Sequence, residues 1–220
     1  MAKKKIIMND EFKLPRAAFV NKFIPKNKFY EKAALSAKRQ KEFVDKIQKI
    51  TWKYKLAEST VGITKTDKVT EIQIFEIELK SQMIPKNVLK VIDKAIPYQI
   101  LYRFIYKENE AYGITLKENK SAENYYFTEW NEKKIFDFTG IDLEKVYQKI
   151  VKTFIRSEAQ TKSSFNEIID TDNKIRALEN EIDVLGSRIS KEKQFNRKVE
   201  LNKILLEKTA LLNEIKGGLK

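Results

Sequence analysis

Between Asp172 and Lys216 apolar residues return every three or four positions, and that rhythm breaks once. Ile175, Leu178, Ile182, Leu185 and Ile189 make a first seam, and Leu201, Leu205, Leu212 and Ile215 make a second in another register. Between them lies KEKQFNRKVELN, residues 191–202, in which Phe195 is the one apolar residue before Lys198. Spacing of three and four places side chains on one face of an α-helix, so this end of the chain is committed to helix. The polar break either turns a corner or presents a surface to a partner. A continuous helix over these residues would be ~67 Å long at ~1.5 Å per residue. Folded at the break, the same residues would form an antiparallel hairpin. The sequence leaves both open.

The preceding residues have the variety of a mixed domain. Residues 1–30 read as an extended basic arm in which Pro15 and Pro25 disfavour helix, with Phe19, Phe23, Ile24, Phe29 and Tyr30 available to pin it to a core. A helix is predicted from Ser36, because Phe43, Ile47, Ile50 and Tyr54 share one face and Lys38, Arg39, Lys41, Lys46 and Lys49 another. Over 70–80, TEIQIFEIELK alternates with a period of two, the mark of a strand. Pro85 and Pro97 bracket a short helix bearing Val88, Leu89, Ile92 and Ile96. A hairpin follows, Ile100–Tyr106 and Ala111–Lys117 joined through KENE, then a strand at Tyr125–Thr128. Asp142 is a candidate N-cap for a helix carrying Leu143, Val146, Tyr147, Ile150, Val151 and Phe154. The expected fold is therefore α+β, with a mixed or antiparallel sheet packed by helices and a coiled-coil-like helical arm behind it. We place the domain at 1–156, a polar linker at 157–165 and the arm, rod or hairpin, at 166–217.

Composition removes whole classes of chemistry. The 220 residues contain no histidine and no cysteine, which excludes imidazole or thiolate zinc sites, Ser-His-Asp and Cys-His nucleophiles, and any disulfide framework. No apolar run is long enough for a signal peptide or a membrane span, so the expected location is the cytoplasm. The net charge is +13, and residues 1–60 hold 16 basic and 6 acidic side chains while residues 191–220 hold 8 and 4. Basic ends of this kind suit phosphate backbones, although a lysine-rich composition alone gives the same excess.

Three constellations carry candidate chemistry. Glu78-Leu79-Lys80 has the acid-x-lysine form of PD-(D/E)XK nucleases, in which Asp67 or Glu71 would supply the second carboxylate for Mg²⁺. A solvated strand face in a Lys- and Glu-rich chain shows the same alternation, and outside that alternative no cofactor or metal is expected. Tyr125, Tyr126, Phe127 and Trp130 are candidates for base stacking, with core packing the favoured reading. In the polar break, Lys191, Lys193, Arg197 and Lys198 would meet phosphate or an acidic partner, with Gln194, Phe195 and Asn196 supplying specificity. The bland alternative makes the break an exposed bend, with the arm closing on itself or on a second copy of the chain.

The segments IPKNKFYEKAALSAKRQKEFVDKIQKITWKYKLA, TEIQIFEIELK, VIDKAIPYQILYRF, the triplet Thr128–Trp130 and KEKQFNRKVELN, in that order, resemble the bacterial family catalogued as domain of unknown function 4391. The resemblance implies no catalytic residues. It implies a genomic setting beside helicases and DNA methyltransferases in loci of the restriction or anti-phage type. It also draws attention to Lys26 and Lys28 around Pro25 and Phe29, and to Lys53 and Lys55 around Tyr54, as candidate phosphate contacts. The resulting expectation is a non-catalytic accessory subunit of a DNA-associated defence complex. Its partners would be protein subunits such as a neighbouring helicase or methyltransferase, then DNA, and no membrane. The alternatives are a Mg²⁺-dependent nuclease and a coiled-coil dimerisation protein that self-associates through its arm.

Overall fold

A computed structural model describes residues 12–116 and 125–217. Lys3–Lys5 of the basic arm and Lys117 of the second hairpin strand lie outside the described residues. The chain divides into two compact units, Met1–Phe154 and Ile155–Lys220.

The first unit runs β1 (Phe19–Phe23), α1 (Asn27–Lys32), α2 (Ala37–Lys46), β2 (Ile47–Leu56), α3 (Glu58–Val61), β3 (Ile72–Leu79), α4 (Lys86–Ala95), β4 (Gln99–Tyr106), β5 (Asn109–Thr115), β6 (Tyr125–Phe127) and α5 (Leu143–Lys152). Its six strands lie in chain order across one sheet. Every neighbouring pair is antiparallel except β3 and β4, which are parallel with Ile74 beside Leu101 and Ile77 beside Phe104. The parallel pair follows from α4, which carries the chain back along the sheet before β4 begins. The fold is α+β, as the sequence predicts, and the sheet is mixed.

The alternation of β3 sorts its side chains between two environments. Phe75, Ile77 and Leu79 join Phe43 of α2, Ile50 of β2, Leu89 and Ile92 of α4, and Tyr102 and Phe104 of β4 in one core. Burying each such side chain contributes roughly 1.5–3 kcal/mol. A second group of rings gathers around Phe12, with Tyr54, Tyr112 and Phe138 edge-on to it at 5.7–6.2 Å. Asp142 caps α5 as its sequence predicts, its Oδ1 accepting from the backbone of Lys145 at 2.7 Å. Tyr147 ties α5 to β5 by donating to the carbonyl of Thr115 at 3.0 Å.

Three expectations need correction. The helix beginning at Ser36 stops at Lys46, and Ile47, Ile50 and Tyr54 belong to strand β2. Their helix-like spacing arises because β2 shifts register against β3 twice, between Ile47 and Lys49 and between Trp52 and Tyr54. The first bulge keeps Ile47 and Ile50, three residues apart, in the one core, and the second turns Tyr54 to the rings around Phe12, so the spacing of three and four mixes two faces of a strand. The basic arm, for its part, contributes an edge strand: Phe29 is buried, while Phe23 stays exposed. The β4–β5 loop is also tighter than KENE implies, closing through Lys107 and Glu108 with Lys107 at φ 55°.

The second unit contains α6 (Phe165–Lys191) and α7 (Phe195–Gly217). Ser164 starts α6 with a capping box, its Oγ accepting from Glu167 N while the Glu167 carboxylate accepts from Ser164 N, both at 3.2 Å. The polar break is a corner. Glu192 Oε1 accepts the backbone N–H groups of Lys193 and Gln194 at 2.8 and 2.9 Å, holding the turn between the helices. Lys208 pairs with Glu181, and Lys216 with Glu179 at 2.9 Å, which makes the helices antiparallel. The arm is thus a hairpin whose limbs are about 40 and 35 Å long at ~1.5 Å per residue.

Candidate partner and nucleic-acid interface

The turn of the hairpin collects the residues that the sequence singles out for a partner. Phe195 opens α7 with 77% of its surface exposed. Lys191, Lys193, Gln194, Asn196, Arg197 and Lys198 are exposed around it. Glu192 is the one acid among residues 188–198, and its side chain is turned to the corner itself and to Arg197 at 3.9 Å. Val199 and Leu206, also exposed, lie four and eleven residues after Phe195 and extend its apolar face along α7. The arrangement therefore pairs surplus positive charge with an uncovered aromatic, the combination that anchors interfaces.

The lysines near the amino end are placed differently. Lys26 donates from Nζ to the carbonyl of Ile47 at 2.6 Å, and partial burial, helped by the charge of Lys80, lowers its pKa. Lys53 pairs with Glu76 at 3.5 Å and Lys55 with Glu71 at 3.1 Å. Of the four candidates for phosphate, Lys28 is exposed and the other three are directed to groups of their own unit. A broader basic surface lies on the outer faces of α1 and α2, where Lys28, Lys32, Lys38, Arg39 and Lys41 are exposed.

Sequence reading missed the charge ladder that absorbs Lys53. Glu76 also meets Arg103 at 3.2 Å, and Arg103 in turn meets Glu110 at 2.7 Å, so alternating charges cross β2, β3, β4 and β5. Glu76 is nearly buried and needs these cations, since an unpaired carboxylate there would carry a desolvation penalty. The signal was present as Glu and Arg at facing positions of predicted strands, but the pairing depends on a parallel register that periodicity does not reveal.

The nuclease constellation is not assembled. Glu78 pairs with Lys49 at 3.2 Å, and Lys80 is exposed just past the end of β3. Glu71 stands just before the opposite end of that strand, roughly 23 Å from Glu78 and about 30 Å from Lys80 at ~3.3 Å per residue. It accepts from Gln73 at 2.5 Å, and Asp67 lies in the loop before it. Among the described residues no group of three or more acidic side chains is arranged to hold a metal ion.

The aromatic run also turns inward. Tyr126 is buried, and Tyr125 stacks on Phe127 at 5.8 Å while donating to Asp93 Oδ2 at 2.5 Å. Tyr102 donates to the other oxygen of Asp93 at 2.8 Å. Burial and then the Asp93 charge raise the Tyr102 pKa well above the phenol's usual 10.0. Tyr125, Phe127 and Trp130 are partly buried against the core and Tyr126 is buried, the packing role that the sequence favours.

A family model described as "Domain of unknown function (DUF4391)" matches residues 12–211. A stretch of 95 residues, 43% of this chain, is 27% identical to Outer dynein arm protein 1 of Chlamydomonas reinhardtii and covers 17% of that protein. The chain thus spans less than a fifth of the length of that relative. No solved structure matches. Among the described residues no helix is long and apolar enough to cross a membrane.

Proposed function

This chain belongs to the family described as domain of unknown function 4391, and from that premise we propose that it is a non-catalytic assembly subunit of a cytoplasmic, DNA-associated bacterial defence complex. The observation that carries this reading is Phe195, an aromatic left uncovered at the corner of a helical hairpin and ringed by cations. An exposed ring of that size, continued by Val199 and Leu206, gains most by burial against another protein. Protein subunits are the primary partners, a helicase or DNA methyltransferase among them. DNA is a second contact, supported by the basic outer faces of α1 and α2.

The test uses the tagged full-length chain expressed in its native host. Phe195→Asp should lower recovery of co-purifying subunits by roughly tenfold, as removal of an interface anchor does, while circular dichroism and thermal melting stay unchanged. Recovery equal to wild type contradicts the assembly role. Binding to duplex DNA should weaken steeply with added salt, and a flat response removes the DNA contact.

A further inference from the structure

Helix α7 is apolar on more sides than α6 can cover. Leu212 is buried and Leu205 partly so, but Ile204 and Leu211 remain exposed on a face distinct from that of Phe195, Val199 and Leu206. Arg197, Leu201, Ile204, Lys208 and Leu211 follow one another at steps of four, three, four and three. Those are heptad steps, with Leu201, Ile204 and Leu211 as the apolar members. On α6, Ala177, Glu181, Val184, Arg188 and Lys191 repeat the same steps, and the Lys208–Glu181 ion pair joins the two rows.

Between the rows runs a groove of about 620 Å³, lined near the turn by Val184 and Leu201, the cations Arg188, Lys191 and Arg197, and the acids Asp183 and Glu192. Val184, Leu185, Arg188 and Lys208 line its continuation away from the turn. Two antiparallel helices that each present a heptad row to one groove form two of the three walls of a helical bundle. The apolar floor fits one face of a third helix.

We propose that this groove receives an amphipathic helix of a partner protein, with its acidic residues set at the turn end of the hairpin. The charge distribution selects that occupant. Arg188, Lys191 and Arg197 outnumber Asp183 and Glu192 at the turn end, with Lys193 and Lys198 exposed beside them, whereas Lys208 farther along is paired with Glu181. A second copy docked with its turn beside this one would bring like charges together, which disfavours it. From Ala177 to Lys191 the row is about 21 Å long at ~1.5 Å per residue, enough for four turns of the incoming helix. This inference rests on the assembly role proposed above and names the chemistry of its partner.

The chain has no cysteine, so one can be placed at will. Ile204→Cys, labelled with a benzophenone maleimide, is photolysed in the complex purified from the native host, with Ser190→Cys as the control outside the groove. The expected crosslinked peptide comes from another protein, carries apolar residues at heptad spacing and is net acidic. In the Arg188→Glu/Arg197→Glu background its yield should fall by roughly tenfold, the effect of like charges brought together at an interface. Crosslinks to another copy of this chain, to nucleic acid or to a peptide without that pattern overturn the proposal. So does a yield no higher than the control, or one unchanged by charge reversal. If the complex forms but these signatures are missing, the groove assignment fails alone; if no complex forms, the assembly role fails with it.

Discussion

The sheet unit and the helical hairpin differ in their charges and in their cores, although both leave large apolar side chains exposed, Phe23, Ile135 and Ile141 among those of the sheet unit. In the sheet unit Lys53, Glu76, Arg103 and Glu110 answer one another across four strands, and Phe75, Tyr102 and Phe104 lie within a few per cent of complete burial. In the hairpin, Val184, Phe195, Val199, Ile204, Leu206 and Leu211 are all exposed, and the turn carries an excess of cations. A buried core of that size with paired charges across it holds a unit together by itself. A hairpin that leaves large apolar side chains in water has surface that another molecule would cover.

The sharpest way to break this contrast is to delete one ring from each unit. Phe104 is fully buried and stacked on Tyr102 at 5.8 Å, so Phe104→Ala should cost about 3–5 kcal/mol in urea or thermal unfolding. Phe195→Ala should change stability by no more than about 0.5 kcal/mol, as exposed substitutions do. Equal losses at the two positions would make Phe195 structural and erase the distinction.

A smaller effect sharpens the account of the hairpin. Glu179 forms an ion pair with Arg156 at 2.5 Å and accepts from Lys216 at 2.9 Å, fastening the start of the unit to both helices. Burial pushes its carboxyl up, but the hydrogen bonds from Lys216 and Arg156 outweigh that and hold its pKa below the usual 4.5. A depressed carboxylate adds stability above its unfolded pKa and loses it as pH falls through the folded value. Glu179→Gln should therefore cost about 0.2–1 kcal/mol at neutral pH, discounted for partial exposure. In circular-dichroism melts the wild type and variant should converge once the solution is acid enough to protonate Glu179. A gap that persists at every pH would assign the effect to packing.

Local signals were enough for some parts of this molecule. The period-two run of β3, the N-cap at Asp142 and the two seams of the hairpin were legible because each depends on neighbours in sequence. Strand β2 reads as helix because its two bulges space apolar residues of both faces three and four apart, and bulges are set by the partner strand. The polar break was visible at once, but its role as a corner became definite with Glu192 holding the turn and Lys208 reaching Glu181. At the candidate sites, Phe195 and its cations stood out by composition, while Lys26, Lys53 and Lys55 looked equally available. What separates them is tertiary: the carbonyl of Ile47 and the carboxylates of Glu76 and Glu71 arrive from elsewhere in the chain. The seam running through Ile204 and Leu211 was present in the spacing, hidden behind the stronger seam that packs on α6.

Hydrogen–deuterium exchange of the full-length chain, free and within the complex purified from its native host, tests most directly whether the hairpin is the docking element. The account predicts that association slows exchange in the stretch from Val184 to Leu211, around the turn and along the groove, with the β2–β4 core unchanged. Protection confined to the sheet unit, with the hairpin exchanging as it does in the free protein, would contradict it.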